Sequence, residues 1–184
     1  QGCYNLISIN LENINTPRLE KVSNLFDSCM SLLYLDVSSF NTSSVIYMES
    51  MFSFCISLTS INFGNFDISQ AINIDYLFYS CSDLISLDLS NFNSSSVKSM
   101  KYMFRDCSSL ISLDLSNFRT SSVEEMYFLF SGCTNLEYVD ISNFDLTKTT
   151  RAGYLFQNCK NLKYINFKNV IVGNSTELVL MFES

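Results

Sequence analysis

The sequence has 184 residues, 47% of them hydrophobic, and a net charge of −7. That apolar content supplies a buried core and argues against disorder, and the length suits one domain. The acidic balance argues against nucleic acid, whose phosphates need a basic patch; no apolar run reaches the 18 residues of a membrane-spanning helix; and histidine, the commonest catalytic base, is absent.

Taken in chain order, the cysteines Cys3, Cys29, Cys55, Cys81, Cys107, Cys133 and Cys159 fall 26 residues apart. They mark repeats 3–28, 29–54, 55–80, 81–106, 107–132, 133–158 and 159–184 of a single solenoid domain spanning 1–184. The clearest copies begin CSDLISLDLSNFNSSSV at Cys81 and CSSLISLDLSNFRTSSV at Cys107. Within each copy the first predicted element is a strand. In the fourth, Leu87 and Leu89 alternate with Ser86 and Asp88, so one face turns inward and the other to solvent. A turn at Asn91 follows, with equivalents at Asn13, Asn65, Asn117, Asn143 and Asn169, because asparagine tolerates turn backbone angles. The second predicted element is a helix. Val97, Met100, Met103 and Phe104 stand at three-and-four spacing, and the hydroxyls of Ser95 and Ser96 are placed to cap its start. The fold class expected is therefore α/β: a leucine-rich-repeat solenoid of seven strand-turn-helix repeats with a parallel sheet on one face.

The third, sixth and seventh copies depart from this pattern. Gly153 interrupts the sixth helical segment, and Ile171-Val172 replace polar loop residues in the seventh. The pattern running from Met51 onward, clearest from Met103, resembles the BspA-like leucine-rich repeat family, in particular its 26-residue type found in mycoplasma lipoproteins. That resemblance covers essentially the whole chain. It implies an extracellular or cell-surface solenoid, associated with adhesion and without catalytic residues.

Identical repeat positions stack into ladders. The cysteines lack both C-x-x-C spacing and histidine partners, so the reading is buried free thiols rather than a metal site, and no cofactor is expected. Phe40, Phe66, Phe92, Phe118 and Phe144 form one core spine, and the series from Phe26 to Phe182 forms another. On the concave strand face, Asp36, Asp88, Asp114 and Asp140 form an acidic ladder beside Tyr34, Tyr138 and Tyr164. Like charges on adjacent strands repel, so this face is either simply hydrated or a site for a cation or basic ligand, with the tyrosines supplying contact area. Three sequons, at Asn41, Asn93 and Asn174, predict N-linked glycans, the first two in the same exposed loop position.

Both terminal copies keep the apolar register, with Leu178, Met181 and Phe182 at core positions, where solenoids ordinarily carry polar caps. The expectation is a segment of a longer array or a subunit stacking head to tail on other copies of itself, a contact that builds a fibre. A non-enzymatic structural component is thus the leading reading. An adhesion module binding a host or matrix protein through the Asp/Tyr face is the second. Neither reading needs a nucleic acid or a membrane-spanning segment.

Overall fold

A computed structural model describes residues 2–174 and 181–182. One 26-residue repeat makes one coil. Strand β1 (Tyr34–Asp36) pairs in parallel with β2 (Ser60–Asn62), and β3 (Ser112–Asp114) pairs with β4 (Tyr138–Asp140), which pairs with β6 (Tyr164–Asn166). The register is a full repeat in every case: Tyr34 faces Ser60, Tyr138 faces Tyr164. The departure at Ile171-Val172 forms a short strand, β7 (Ile171–Val172), paired with β5 (Asp145–Leu146). Two apolar residues in a loop position thus give the last coils a second, small sheet.

The expected helices are absent from the described residues, so the α/β class is corrected to a coil of strands and turns. Val97, Met100, Met103 and Phe104 are fully buried, as their spacing predicts. Their backbone, however, does not close on itself. Alternate N–H groups at Ile74, Tyr76, Phe78 and Ser80 donate to the carbonyls of Ser99, Lys101, Met103 and Arg105 in the next coil, at 2.8–3.0 Å. Five successive junctions repeat that four-bond pattern, from Val22 to Gln157. The intervening groups close three-residue turns, such as Tyr79 N–H to Tyr76 O at 3.1 Å. A helix would send every N–H to the carbonyl four residues back; here half of them point along the solenoid axis instead.

Alternating the peptide direction this way requires left-handed residues. Asn24, Ser50, Tyr76, Tyr102, Phe128 and Tyr154 hold φ between 56° and 59° at one repeat position. Ser28, Phe54, Ser80, Asp106 and Asn158 hold φ of 56–61° at a second, where Gly132 has 78°. A left-handed non-glycine residue costs about 1–2 kcal/mol, which the inter-coil hydrogen bonds offset.

The core runs the length of the coil stack. Phe26, Phe52, Phe78, Phe104, Phe130, Phe156 and Phe182 stack ring on ring, with centroids 5.2–6.0 Å apart and planes within 9°. Cysteine closes the turn behind this spine. The Cys81 thiol donates to Phe52 O at 3.1 Å, and Cys55, Cys107, Cys133 and Cys159 likewise donate to the phenylalanine carbonyl 29 residues back. That carbonyl already accepts the N–H of the cysteine three residues on, as Phe52 O does from Cys55, so the thiol fills its second lone pair. All described cysteines are free. Burial pushes the Cys55, Cys107 and Cys159 thiols up to about 12 and raises Cys81 and Cys133 well above the ordinary thiol value.

On the strand side the ladder breaks. Residues 86–88, in one of the two cleanest copies, form no strand, and neither Phe63 N–H nor Leu89 N–H reaches the next coil as Val37, Leu115 and Ile141 do. Where the second, fourth, fifth and sixth coils carry Val, Leu or Ile, the third carries Phe63, whose ring meets Phe52, Phe78 and Phe92 edge-on at 5.0–6.2 Å. Gly64 follows with φ +53°, and a side chain there would meet Ser38 Cβ at 2.5 Å. Between the third and fourth coils on this side lies a hollow of about 250 Å³ lined by Asn62, Phe63, Gly64 and Asp88.

Candidate functional site

The outward strand face carries the polar ladders read from the sequence. Asp36, Asp88, Asp114 and Asp140 each accept the N–H of the residue two positions on, at 2.8–3.0 Å (Ser38, Ser90, Ser116 and Ser142). Asn62 and Asn166 do the same for Gly64 and Lys168. Each side chain therefore caps the turn that ends its own strand, which explains why Asp and Asn interchange at this position. The acidic ladder, read from the sequence as either a hydrated face or a site for a cation or basic ligand, thus has a structural role on its own turns. Asp88 and Asp114 are exposed caps with no tyrosine two residues before them.

Two places on the face differ. Asp36 Oδ1 accepts Ser38 N–H and the Ser38 hydroxyl (2.6 Å), while Oδ2 accepts Asn62 Nδ2 at 2.9 Å and the Tyr34 hydroxyl at 3.3 Å. Asp140 repeats this: Oδ1 takes Ser142 N–H, and Oδ2 takes Asn166 Nδ2 at 2.8 Å and the Tyr138 hydroxyl at 3.0 Å. Hydrogen bonds from Ser38, Asn62 and Tyr34 hold the Asp36 carboxyl at about 2. Burial opposes the same effect at Asp140, but the bonds from Ser142, Asn166 and Tyr138 outweigh it and the carboxyl is lowered. Tyr138 is raised by its bond to Asp140, and Tyr34 by partial desolvation and the Asp36 charge. Tyr164 stacks on Tyr138 at 5.5 Å with planes 3° apart, so the second constellation has an aromatic neighbour that the first lacks.

The sequons sit where expected. Asn41 and Asn93 are exposed, and each side-chain oxygen accepts the N–H two residues on, from Ser43 and Ser95, at 3.2 Å. The middle residue is the buried one: Thr42 Oγ1 accepts Asp67 N–H at 2.7 Å, and Ser94 Oγ accepts Arg119 N–H at 2.8 Å. Asn174 is exposed, while Ser175 and Thr176, which complete its sequon, lie outside the described residues, as does Leu178.

One surface was not read from the sequence. Tyr76, Tyr102, Phe128 and Tyr154 form a half-buried stack on the turn side, with centroids 4.7–5.3 Å apart. The Arg105 guanidinium lies 5.4–6.0 Å from the rings of Tyr79, Tyr102 and Phe128. Lys101 bridges Glu125 at 3.0 Å and the buried Asp75 at 3.3 Å. Asp75 is nonetheless raised, because its burial exceeds what Ser99 and Lys101 return. The signal was present as an aromatic every 26 residues from Tyr76, but within a helical reading it fell on no common face with the core.

The family model described as Mycoplasma protein of unknown function, DUF285, matches residues 1–112 and 85–184. The chain belongs to this family. Membership agrees with the mycoplasma-type 26-residue repeat recognised in the sequence. Among solved structures, the chain is similar to a leucine-rich repeat protein from Bacteroides ovatus, at 18% identity and a TM-score of 0.28. The match covers 85% of this chain, which spans 65% of the length of that protein. No curated protein matches.

Proposed function

We propose that this DUF285-family chain is a non-enzymatic, surface-associated or extracellular solenoid. It acts as a structural spacer that stacks end to end with further coils, those of other copies of itself included. The observation that supports this reading is the constancy of the junction. Each of the first five coils hands four turn-side N–H groups to the next in the same register, whatever its outward side chains are. A coil built this way is a template for another like it. The first coil leaves Ile9, Ile14 and Leu25 exposed, the apolar surface such a neighbour would cover. Negative-stain imaging together with sedimentation over a rising concentration series tests the stacking. Rods in multiples of one unit length are expected; monomer alone throughout would remove it.

A second reading, adhesion through the strand face, is favoured by the two Tyr–Asp–Asn constellations. N-linked glycans at Asn41 and Asn93 would leave that face clear, since both asparagines lie past the turn that ends the strand. Intact mass before and after glycosidase treatment of protein from its native source is expected to differ by the glycan mass; no change would exclude the modification.

A further inference from the structure

The strand face holds the same hydrogen-bonded constellation twice, and between the two copies it is plain. Tyr34, Asp36 and Asn62 make the first, and Tyr138, Asp140 and Asn166 the second. They are four repeats apart, roughly 19 Å at about 4.8 Å per coil. Asp88 and Asp114, in the coils between, bond their own turns and carry Ser86 and Ser112 where the tyrosines would stand.

What each constellation offers a ligand follows from which atoms are already used. A carboxylate has about four acceptor sites. At Asp36 all four are filled, and at Asp140 three are. Asp36 has no acceptor site left and Asp140 has one, so most of what each carboxylate can bind is already its own neighbours. Each fixes its tyrosine as a donor, so the phenolic oxygen faces outward as an acceptor. Each also takes one amide hydrogen of the asparagine in the next coil, and at the first site the Asn62 amide engages the Tyr34 phenol as well. Tyr34 is half exposed and stands between Ser8 and Ser60, so no side chain of its own height flanks it. Beside it lies an open hollow of about 480 Å³ lined also by Asn10, Glu12 and Ser38. An aromatic surface edged by oriented hydrogen-bonding groups matches a ring that has an apolar face and hydroxyls at its edge, and the ionised carboxylates beneath it disfavour an anionic ligand.

We propose that the strand face binds a neutral carbohydrate polymer at these two sites, one chain bridging both. This inference rests on the adhesive reading of that face. It differs from protein adhesion in requiring the two tyrosines and a ligand that repeats along its length, because the second contact then gains from effective concentration rather than from new chemistry.

The test is binding of the full chain to an array of neutral glycans, linear oligosaccharides and polysaccharides, in parallel with immobilised matrix proteins. Saturable glycan binding is expected, stronger for polymers than for short oligomers. Tyr34→Ala or Tyr138→Ala alone is expected to weaken polymer binding about tenfold or more, and the pair to abolish it. Asp88→Ala, on the same face, should leave it unchanged. Tyr34→Phe keeps the ring and removes the acceptor, and an intermediate loss is expected. Absence of glycan binding, or glycan binding that the double variant retains, overturns the proposal. If glycans fail but a matrix protein binds and Asp88→Ala or Tyr34→Ala weakens it, adhesion stands without the carbohydrate. If neither class binds, both readings fall.

Discussion

The turn side and the strand side of this solenoid are built from the same repeat, yet they are held together differently. The turn side keeps four inter-coil hydrogen bonds at each of five junctions, through side chains as different as Asn24, Ser50 and Tyr102 at one left-handed position. The strand side loses its ladder at residues 86–88, in a copy whose sequence is close to the consensus. Continuity on each side therefore depends on different things. Turn-side bonds are set by backbone angles that many residues tolerate when neighbours enforce them. Strand pairing is less constant: Val37, Leu115 and Ile141 bond the next coil, while Leu11, Phe63 and Leu89 do not.

The largest expected effect tests the spine that both sides share. Phe104→Ala removes a fully buried ring stacked between Phe78 and Phe130, and a loss of about 3–5 kcal/mol is expected in chemical denaturation. Proline then separates the two sides. Ser80→Pro would remove a donor to Arg105 O and force φ from 57° to a negative value, for a loss of about 3 kcal/mol or more. Ser86→Pro, in the open strand segment where that N–H makes no bond to the next coil, is expected to cost about 1 kcal/mol or less. Equal losses would mean that the strand side is bonded after all.

A pH series sharpens the contribution of the turn behind the spine. A group whose folded pKa lies above its unfolded value stabilises the fold fully below the unfolded value, and that contribution disappears as pH rises toward the folded one. The buried thiols have an ordinary value of 9.0 and reach about 12 in the fold at Cys55, Cys107 and Cys159. Stability measured by denaturation should therefore decline from about pH 9 toward pH 12. Replacing these three by alanine should lower stability at pH 7 and flatten that decline. The smallest effect expected is at Phe63, the large ring beside the open junction: Phe63→Leu should change stability by about 1 kcal/mol or less while slowing amide exchange at 86–89.

Much of the fold was legible in the sequence because a 26-residue period sets the register of every coil on its neighbour. The cysteine and phenylalanine ladders, the strand positions and the exposed sequon asparagines at 41 and 93 follow from it directly. The helix did not survive, for a physical reason. Three-and-four spacing of Val97, Met100, Met103 and Phe104 buries one face of a helix, but it equally buries the inner corners of successive turns. The discriminating signal was at the polar end of that segment, where Ser28, Ser80, Asp106, Gly132 and Asn158 share one position: mostly turn residues, recurring where a helix would need to continue. The capping role of the acidic ladder was hidden in a related way. Charge repulsion is visible in a sequence, whereas the backbone N–H groups of Ser38, Ser90, Ser116 and Ser142 that occupy those carboxylates are not. The Tyr–Asp–Asn pairings also cross from one coil to the next, so they emerge only when residues 26 apart are set side by side.

Residue-resolved hydrogen exchange compares the two sides in one measurement. The account predicts that the amides of Ile74, Tyr76, Phe78 and Ser80 and their equivalents in neighbouring coils are protected together, while those of residues 86–89 exchange much faster than the strand amides of Val37, Leu115 and Ile141. Uninterrupted protection through 86–89, or protection of every consecutive amide from 97 to 104 as in a helix, would contradict it.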